Sequence, residues 1–379
     1  MKKFISVLLA LIMLFALTAC KPEEEVKVPE TKAPEVVKTT APEVKPSETS
    51  QKESEPEEET RIITGENGEQ FEIPKEVTRV APTIGAFAQM TAMLTEGNGK
   101  IVAAVTGAIS DYFKQVFPDY LESNPNNYNS TSIEDLIASG AQVCYGPGSR
   151  FSDEQIGQLK AAGIVHVPIN NIRDVAGMSS AFTIIGNILG EKEAARAKEF
   201  VEYYQGNIEK CKDRTKDIAE ADRVKMISLF YSADSFTTIN KNDISQEYIE
   251  AAGGINVAAD YTAAGESGLI VDEEQIVSWN PEFIMVSNQA GKEVIENNPA
   301  LATVDAVANG KVEVCPFGIY LWSVRSGEGA MLPFWLSTNL YPELFSDIDM
   351  RDVVKDFFNY WYNYDIPEEE ITNTLAGRP

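Results

Sequence analysis

Residues able to do acid, base or metal chemistry are few in this chain, and their spacing excludes more than it permits. The 379 residues hold one histidine, His166, and four cysteines, with no C-x-x-C and no H-x-x-x-H. A zinc site needs three or four such ligands brought together, so no Cys/His zinc site can be assembled and no protein-held metal is expected. A Ser-His-Asp apparatus would have to use His166, which lies inside the apolar run Ile164–Ile169 and reads as a core or edge residue of a strand. No G-x-x-x-x-G-K-[ST] phosphate loop occurs, so the chain does not itself hydrolyse ATP. Acids are abundant, yet none forms a recognisable pair; a carboxylate hydrolase stays a rival reading, and no catalytic residue is assigned. What remains is recognition chemistry. Tyr145, Arg150, Tyr231, Tyr320, Trp322 and Arg325 fall in loops or at strand ends. Aromatic faces suit a flat or catecholate ligand, and arginines suit carboxylates or an anionic metal complex. Tyr145 and Trp322 each have a second reading as core residues, and Arg150 as a solvated loop residue.

Charge narrows the partners. With 32 Lys and Arg against 58 Asp and Glu the formal net charge is −26, which repels a phosphate backbone and excludes nucleic acid as a partner. Residues 1–20 begin with two lysines, continue in an apolar run from Val7 to Leu17 and end in small residues, the pattern of a secretory signal peptide. The ending Leu17-Thr18-Ala19-Cys20 resembles the bacterial lipobox, which implies that Cys20 becomes an acylated N-terminus and a membrane anchor. Residues 21–60 contain six Pro, twelve Glu, six Lys and no aromatic residue. Such a stretch cannot offset its ordering entropy and reads as a disordered acidic tether with a random-coil reach of roughly 35 Å. Loss of the two signal lysines takes the charge to −28, of which −22 lies on residues 61–379.

From Arg61 onward short apolar runs alternate with helical patterns. Strands are expected at Arg79–Ala81, Ile101–Val105, Gln142–Tyr145, Ile164–Ile169, Val224–Tyr231, Phe283–Val286 and Lys311–Cys315. That alternation predicts α/β units with mostly parallel sheets. From Glu191 to Glu220 the positions Ala197, Val201, Tyr204, Ile208, Cys211, Thr215 and Ile218 form a helical apolar stripe, predicting one amphipathic helix of roughly 45 Å. The segment from Glu134 aligns without gaps on that from Glu274, each with a Glu opening a short helix that leads into a strand. The expected architecture is therefore two Rossmann-like lobes, 61–190 and 221–379, joined by one long rigid α-helix over 191–220. The ligand cleft should lie between the lobes, at the carboxyl ends of strands.

Several segments in this order resemble the substrate-binding lipoproteins of ABC importers with a rigid helical backbone, which serve ferric siderophores, haem and cobalamin. They are Gly68-Glu-Gln-Phe-Glu-Ile-Pro with Arg79-Val, Ser132-Ile-Glu134-Asp-Leu-Ile, Ala162-Gly-Ile-Val-His-Val-Pro168, Leu189-Gly-Glu-Lys-Glu-Ala-Ala195, Glu274-Gln-Ile-Val-Ser-Trp-Asn-Pro281, and the tail Gly327-Glu-Gly-Ala-Met-Leu-Pro-Phe-Trp. The resemblance implies a non-enzymatic, monomeric receptor, lipid-anchored at the extracytoplasmic face of the cell membrane. It would deliver a metal chelate to a permease dimer with a cytoplasmic ATPase. A ferric siderophore is the favoured ligand, followed by haem, a corrinoid such as cobalamin, and an oxyanion; no resident cofactor is implied. A sensor or adhesin on the same fold is the alternative without a transporter. The resemblance also assigns permease docking to Glu134 and Glu274, which are equally suited to helix N-termini capped by Thr131 and Asp272, with Glu273 as the neighbouring choice. Trp322-x-x-Arg325-Ser-x-Glu328 is similar to the family's W-x-R-P-S-P-E, in which the Arg often faces ligand, although Gly327 and Gly329 stand near the family's prolines.

Overall fold

The computed structural model describes residues 59–97, 99–262 and 269–378; the expected signal peptide, Cys20 and the tether up to residue 58 lie outside the described residues. β1 (Thr60–Thr64) and β2 (Gln70–Pro74) pair as an antiparallel hairpin, in a segment where no strand is expected from the sequence. The N-terminal lobe follows as β3 (Val80–Pro82), α1 (Gly85–Leu94), α2 (Asp111–Val116), α3 (Asp119–Ser123), α4 (Ile133–Ser139), β4 (Val143–Gly146), α5 (Asp153–Ala161), β5 (Val165–Pro168) and α6 (Val175–Leu189). Its sheet has the order β3-β4-β5, all parallel. The central strand β4 is buried along its whole length, as a strand covered on both faces must be. Ile101–Val105 does not form the expected strand: Ile101 and Ala104 make only isolated bridges, to Val80 and Asn129.

The long helix α7 (Glu191–Thr215) places Ala197, Tyr204, Ile208, Cys211 and Thr215 on its buried side. It ends at Thr215 instead of Glu220 and spans about 37 Å at 1.5 Å per residue. The end is set by Thr215, whose hydroxyl bonds back to the Cys211 carbonyl while the chain turns towards the next strand. α6 and α7 pack very closely at Gly186, where a Cβ would come within 2.7 Å of the Ala197 Cβ. Phe182 and Phe200, fully buried with ring centroids 4.2 Å apart, fill the same contact, each worth about 2 kcal/mol of burial.

The C-terminal lobe comprises β6 (Lys225–Ser232), β7 (Ser235–Thr238), α8 (Ile244–Ala251), β8 (Ile255–Asn256), β9 (Leu269–Val271), α9 (Glu273–Trp279), β10 (Phe283–Val286), α10 (Gln289–Glu296), α11 (Asp305–Ala308), β11 (Val312–Val314) and α12 (Leu332–Leu340). Its sheet runs β11-β10-β6-β7-β9 with β8 beside β6; β7 joins β6 and β9 antiparallel, and the other pairs are parallel. The tail helices α13 (Met350–Tyr362) and α14 (Glu368–Leu375) lie in the segment expected to belong to the second lobe, yet they cross to the first. Tyr362 packs edge-on against Phe117, and Gln115 donates to Tyr364 and Glu370. The aromatic cluster of α13 is thus packing, with Phe357, Phe358, Trp361 and Tyr362 buried. Cys144, Cys211 and Cys315 are buried free thiols.

Candidate functional site

Three loops at the carboxyl ends of the N-terminal sheet converge on one cavity. After β3 come Ile84 and Ala86, after β4 Pro147 and Ser149, and after β5 Asn170, Ile172 and Arg173. Tyr320, Val324 and Arg325, from the segment after β11, close the opposite wall of this cavity of about 580 Å³. A parallel α/β sheet offers its ligands this edge, where backbone groups are free and helices begin.

Each loop is held by identifiable bonds. Glu66, in the turn of the β1–β2 hairpin, accepts from the Asn170 and Asn171 backbone N–H groups, both at 2.8 Å. The Asn170 side chain in turn receives the Gly148 N–H at 2.8 Å, so the hairpin fixes two of the three loops. Gly146 is required because a Cβ there would lie 1.8 Å from the hydroxyl of Thr83, which is buried in the core and has no partner among the described residues. Asp174 caps α6 through the Gly177 N–H, and Glu247 of the C-terminal lobe accepts the Val175 N–H at 3.2 Å. α1 opens on Ile84, which offers no capping side chain, and the Ala86 N–H faces the Tyr320 hydroxyl instead.

The cavity is cationic in a strongly acidic protein. Among the described residues Arg173 and Arg325 line it and no Asp or Glu does. Arg173 has no ion-pair partner among the described residues, and the nearest acid to Arg325 is Asp243, 3.9 Å away. Burial pushes the Tyr320 phenol above its ordinary range, with Arg325 pulling the other way, so it stays neutral at physiological pH. Two guanidinium groups, a phenol, a hydroxyl and an amide above an uncapped helix start can hold a polyanion by charge-assisted bonds.

Of the residues expected at the ligand, Tyr320 and Arg325 line the cavity. Tyr145 does not: its ring is fully buried against Phe87 and its hydroxyl is 2.5 Å from that of Thr91, because the strand turns it into the lobe's core. Trp322 is also fully buried, its indole N–H donating to Glu328 at 2.9 Å. Arg150 is exposed beside Ser149 but outside the lining, and Tyr231, also outside it, packs on Phe236 and donates to Asp234. Arg173 was missed. Its signal was legible: it follows a strand and immediately precedes the cap Asp174 of a long apolar helix. His166 sits edge-on to Phe151 with burial lowering its pKa, and is not among the lining residues of the cavity.

The two expected docking acids occupy matching places. Glu134 on α4 and Glu274 on α9 are both exposed, and each helix ends in a left-handed residue, Gly140 at φ 65° and Asn280 at φ 43°. Ile137 and Val277, three residues after each Glu, are exposed aliphatics, 46% and 40% accessible. The cap of α4 is Ser132, not Thr131, whose hydroxyl turns to Asn129; Asp272 caps α9 as expected. Glu273 accepts from Asn298, whereas Glu274 has no partner among the described residues.

Two α/β lobes bridged by a long helix, with a cavity at the strand ends, are the architecture that the sequence resemblance implies. Residues 135–318 match the model of the periplasmic binding protein family. It is 24% identical to the molybdate-binding protein MolA of Haemophilus influenzae, over 80% of this chain and 91% of that protein. It is 22% identical to an uncharacterized ABC transporter substrate-binding lipoprotein, YvrC, of Bacillus subtilis, over 78% of this chain and 92% of that one. Among solved structures, a periplasmic solute binding protein from Veillonella parvula superposes with a TM-score of 0.72 at 23% identity, covering 84% of this chain and 97% of the other. The likeness establishes the fold.

Proposed function

We propose that this protein is the extracytoplasmic, lipid-anchored binding component of an ABC importer, capturing an anionic metal chelate of the ferric siderophore class. The observation that carries this reading is the cavity walled by Arg173, Arg325 and Tyr320 with no carboxylate among its described lining residues. Its volume, about 580 Å³, suits a chelate of drug-like size. A bare oxyanion of the molybdate class is the second reading, favoured by the likeness to MolA. Such an ion is only a few times the roughly 30 Å³ share of one water, and most of the cavity would stay filled with solvent. The reading is binding without turnover, by a monomer anchored through Cys20.

The deciding experiment titrates the protein with ferric citrate, ferric catecholate complexes, haemin, cyanocobalamin and molybdate, followed by tryptophan fluorescence and visible absorbance. Saturable binding of a ferric chelate in preference to the others is expected; preference for molybdate, or for none of them, overturns the chelate assignment.

Delivery to a permease falls to Glu134 and Glu274, each paired with an exposed aliphatic residue one turn on. Two spaced carboxylates meeting basic pockets fix orientation and favour encounter. The Glu134→Ala, Glu274→Ala double variant is expected to bind ligand normally and to lose uptake in cells. Uptake at the wild-type rate would remove the docking role.

A further inference from the structure

Glu328 is fully buried at the start of a 3-10 turn, Glu328–Met331, and four donors converge on its carboxylate. The Gly318 N–H at 3.1 Å and the Trp322 indole N–H at 2.9 Å reach Oε2. The Ile319 N–H at 2.9 Å and the Tyr362 hydroxyl at 2.7 Å reach Oε1. Three of the four come from Gly318–Trp322, the irregular segment that carries Tyr320 and leads to Arg325. Position 318 has no room for a side chain, since a Cβ there would be 2.4 Å from the Glu328 carboxylate.

The fourth donor extends the network to the other wall. The Tyr362 hydroxyl receives the side-chain N–H of Gln89 at 2.6 Å, and the Gln89 carbonyl accepts the Gly327 N–H at 2.9 Å. Gln89 lies on α1, whose first residues line the cleft opposite Tyr320. A carboxylate stripped of water is costly to bury, and such a group adds little net stability compared with an apolar core. What a fully satisfied buried network does supply is one fixed geometry.

We propose that Glu328 is a positioning residue of the ligand cleft. By anchoring Gly318–Trp322 it sets Tyr320 and Arg325 on the C-terminal wall, and through Tyr362 and Gln89 it holds that wall in register with α1. The ligand part of this inference rests on the binding reading above, while the anchoring part stands without it.

Two variants of the full chain, Glu328→Gln and Tyr362→Phe, separate the possibilities. Amide exchange is followed residue by residue, and affinity is measured for ferric citrate, haemin and molybdate. Glutamine replaces one of the two accepting oxygens by an N–H₂ group, so whichever of the Gly318 and Ile319 amides faces it should exchange at least tenfold faster while those of β10 keep their rates. The tightest of the three probes should bind at least tenfold more weakly. Tyr362→Phe leaves the three loop donors in place; it should loosen residues 85–90 and 326–328 more than Gly318, and weaken binding less. Unchanged exchange at Gly318 and Ile319 in a folded Glu328→Gln protein overturns the anchor. Faster exchange with unchanged affinity overturns the positioning role. Should Glu328→Gln fail to fold, wild-type exchange and affinity in Tyr362→Phe would overturn the link between the walls. If the unaltered protein binds none of the probes the functional reading fails, and exchange at Gly318 and Ile319 alone upholds or overturns the anchor.

Discussion

On the N-terminal wall of the cleft the facing residues follow from three parallel strands; on the C-terminal wall they hang from one buried carboxylate. The first wall is built from repetition, with strand, loop and helix recurring at β3, β4 and β5 and each loop delivered by ladder hydrogen bonds. The second comes from a single segment, Phe317 to Arg325, which belongs to no sheet and has three of its donors gathered on Glu328. A regular scaffold tolerates changes in its loops, whereas an irregular one concentrates its order in the group that holds it.

That contrast can be broken in three ways, of decreasing size. The largest is pH. Burial pushes Glu328 from an ordinary 4.5 to about 7, so the folded protein keeps a proton that the unfolded chain has released between those values. Stability should therefore fall as pH rises through that window, by about 3 kcal/mol in all, and urea unfolding of Glu328→Gln should show no such slope. The titratable groups facing Glu328 are Tyr362 and, behind it, Tyr112 beside Glu370; both phenols are pushed above their usual range and stay neutral throughout. On the N-terminal side the sign is opposite: burial lowers His166 from 6.5, and its contribution is lost as pH falls below that value. A wild-type curve that rises from pH 5 to pH 7 would contradict the dominance of Glu328.

The next test attacks the regular wall. Gly146→Ala places a methyl group on the Thr83 hydroxyl and should cost about 1–3 kcal/mol, read as a lower thermal midpoint. Exchange at Gly318 and Ile319 should not change, because the second wall does not lean on β4. The smallest effect compares the arginines. Arg173→Ala should weaken the best ferric chelate about tenfold, near 1.4 kcal/mol, and Arg325→Ala somewhat less because Asp243 already shares its charge. The reverse order would make Arg325 the principal contact.

Much of the regular half was legible in the sequence and little of the irregular half. The strand Phe283–Val286 agrees residue for residue, and the stripe on α7 holds from Ala197 to Thr215, because burial on a strand or helix leaves a periodic trace. The β1–β2 and β7–β9 pairings do not stand out in the sequence, since these strands are only three to five residues long and Thr60–Thr64, Ser235–Thr238 and Leu269–Val271 show no alternation of polar and apolar residues. Tyr145 and Trp322 were chosen by side-chain type at a strand end or in a loop, which says nothing of the direction in which a ring points. Arg173 could have been found by extending the same strand-end rule three residues past Asn170. Glu328 could not: as one Glu among 58 acids it reads as a solvated residue, and its donors from positions 318, 319, 322 and 362 meet only in three dimensions.

The three buried cysteines have a practical corollary. Desolvation raises Cys144 and Cys315 to about 12 and Cys211 to about 11, leaving almost no nucleophilic sulfur at neutral pH. The described part of the molecule can thus mature outside the cell without an oxidative folding catalyst and without thiols that scramble. A cysteine introduced at Val324 on the rim would be the one reactive thiol among the described residues, and a maleimide dye placed there would report ligand entry with every native residue but one intact.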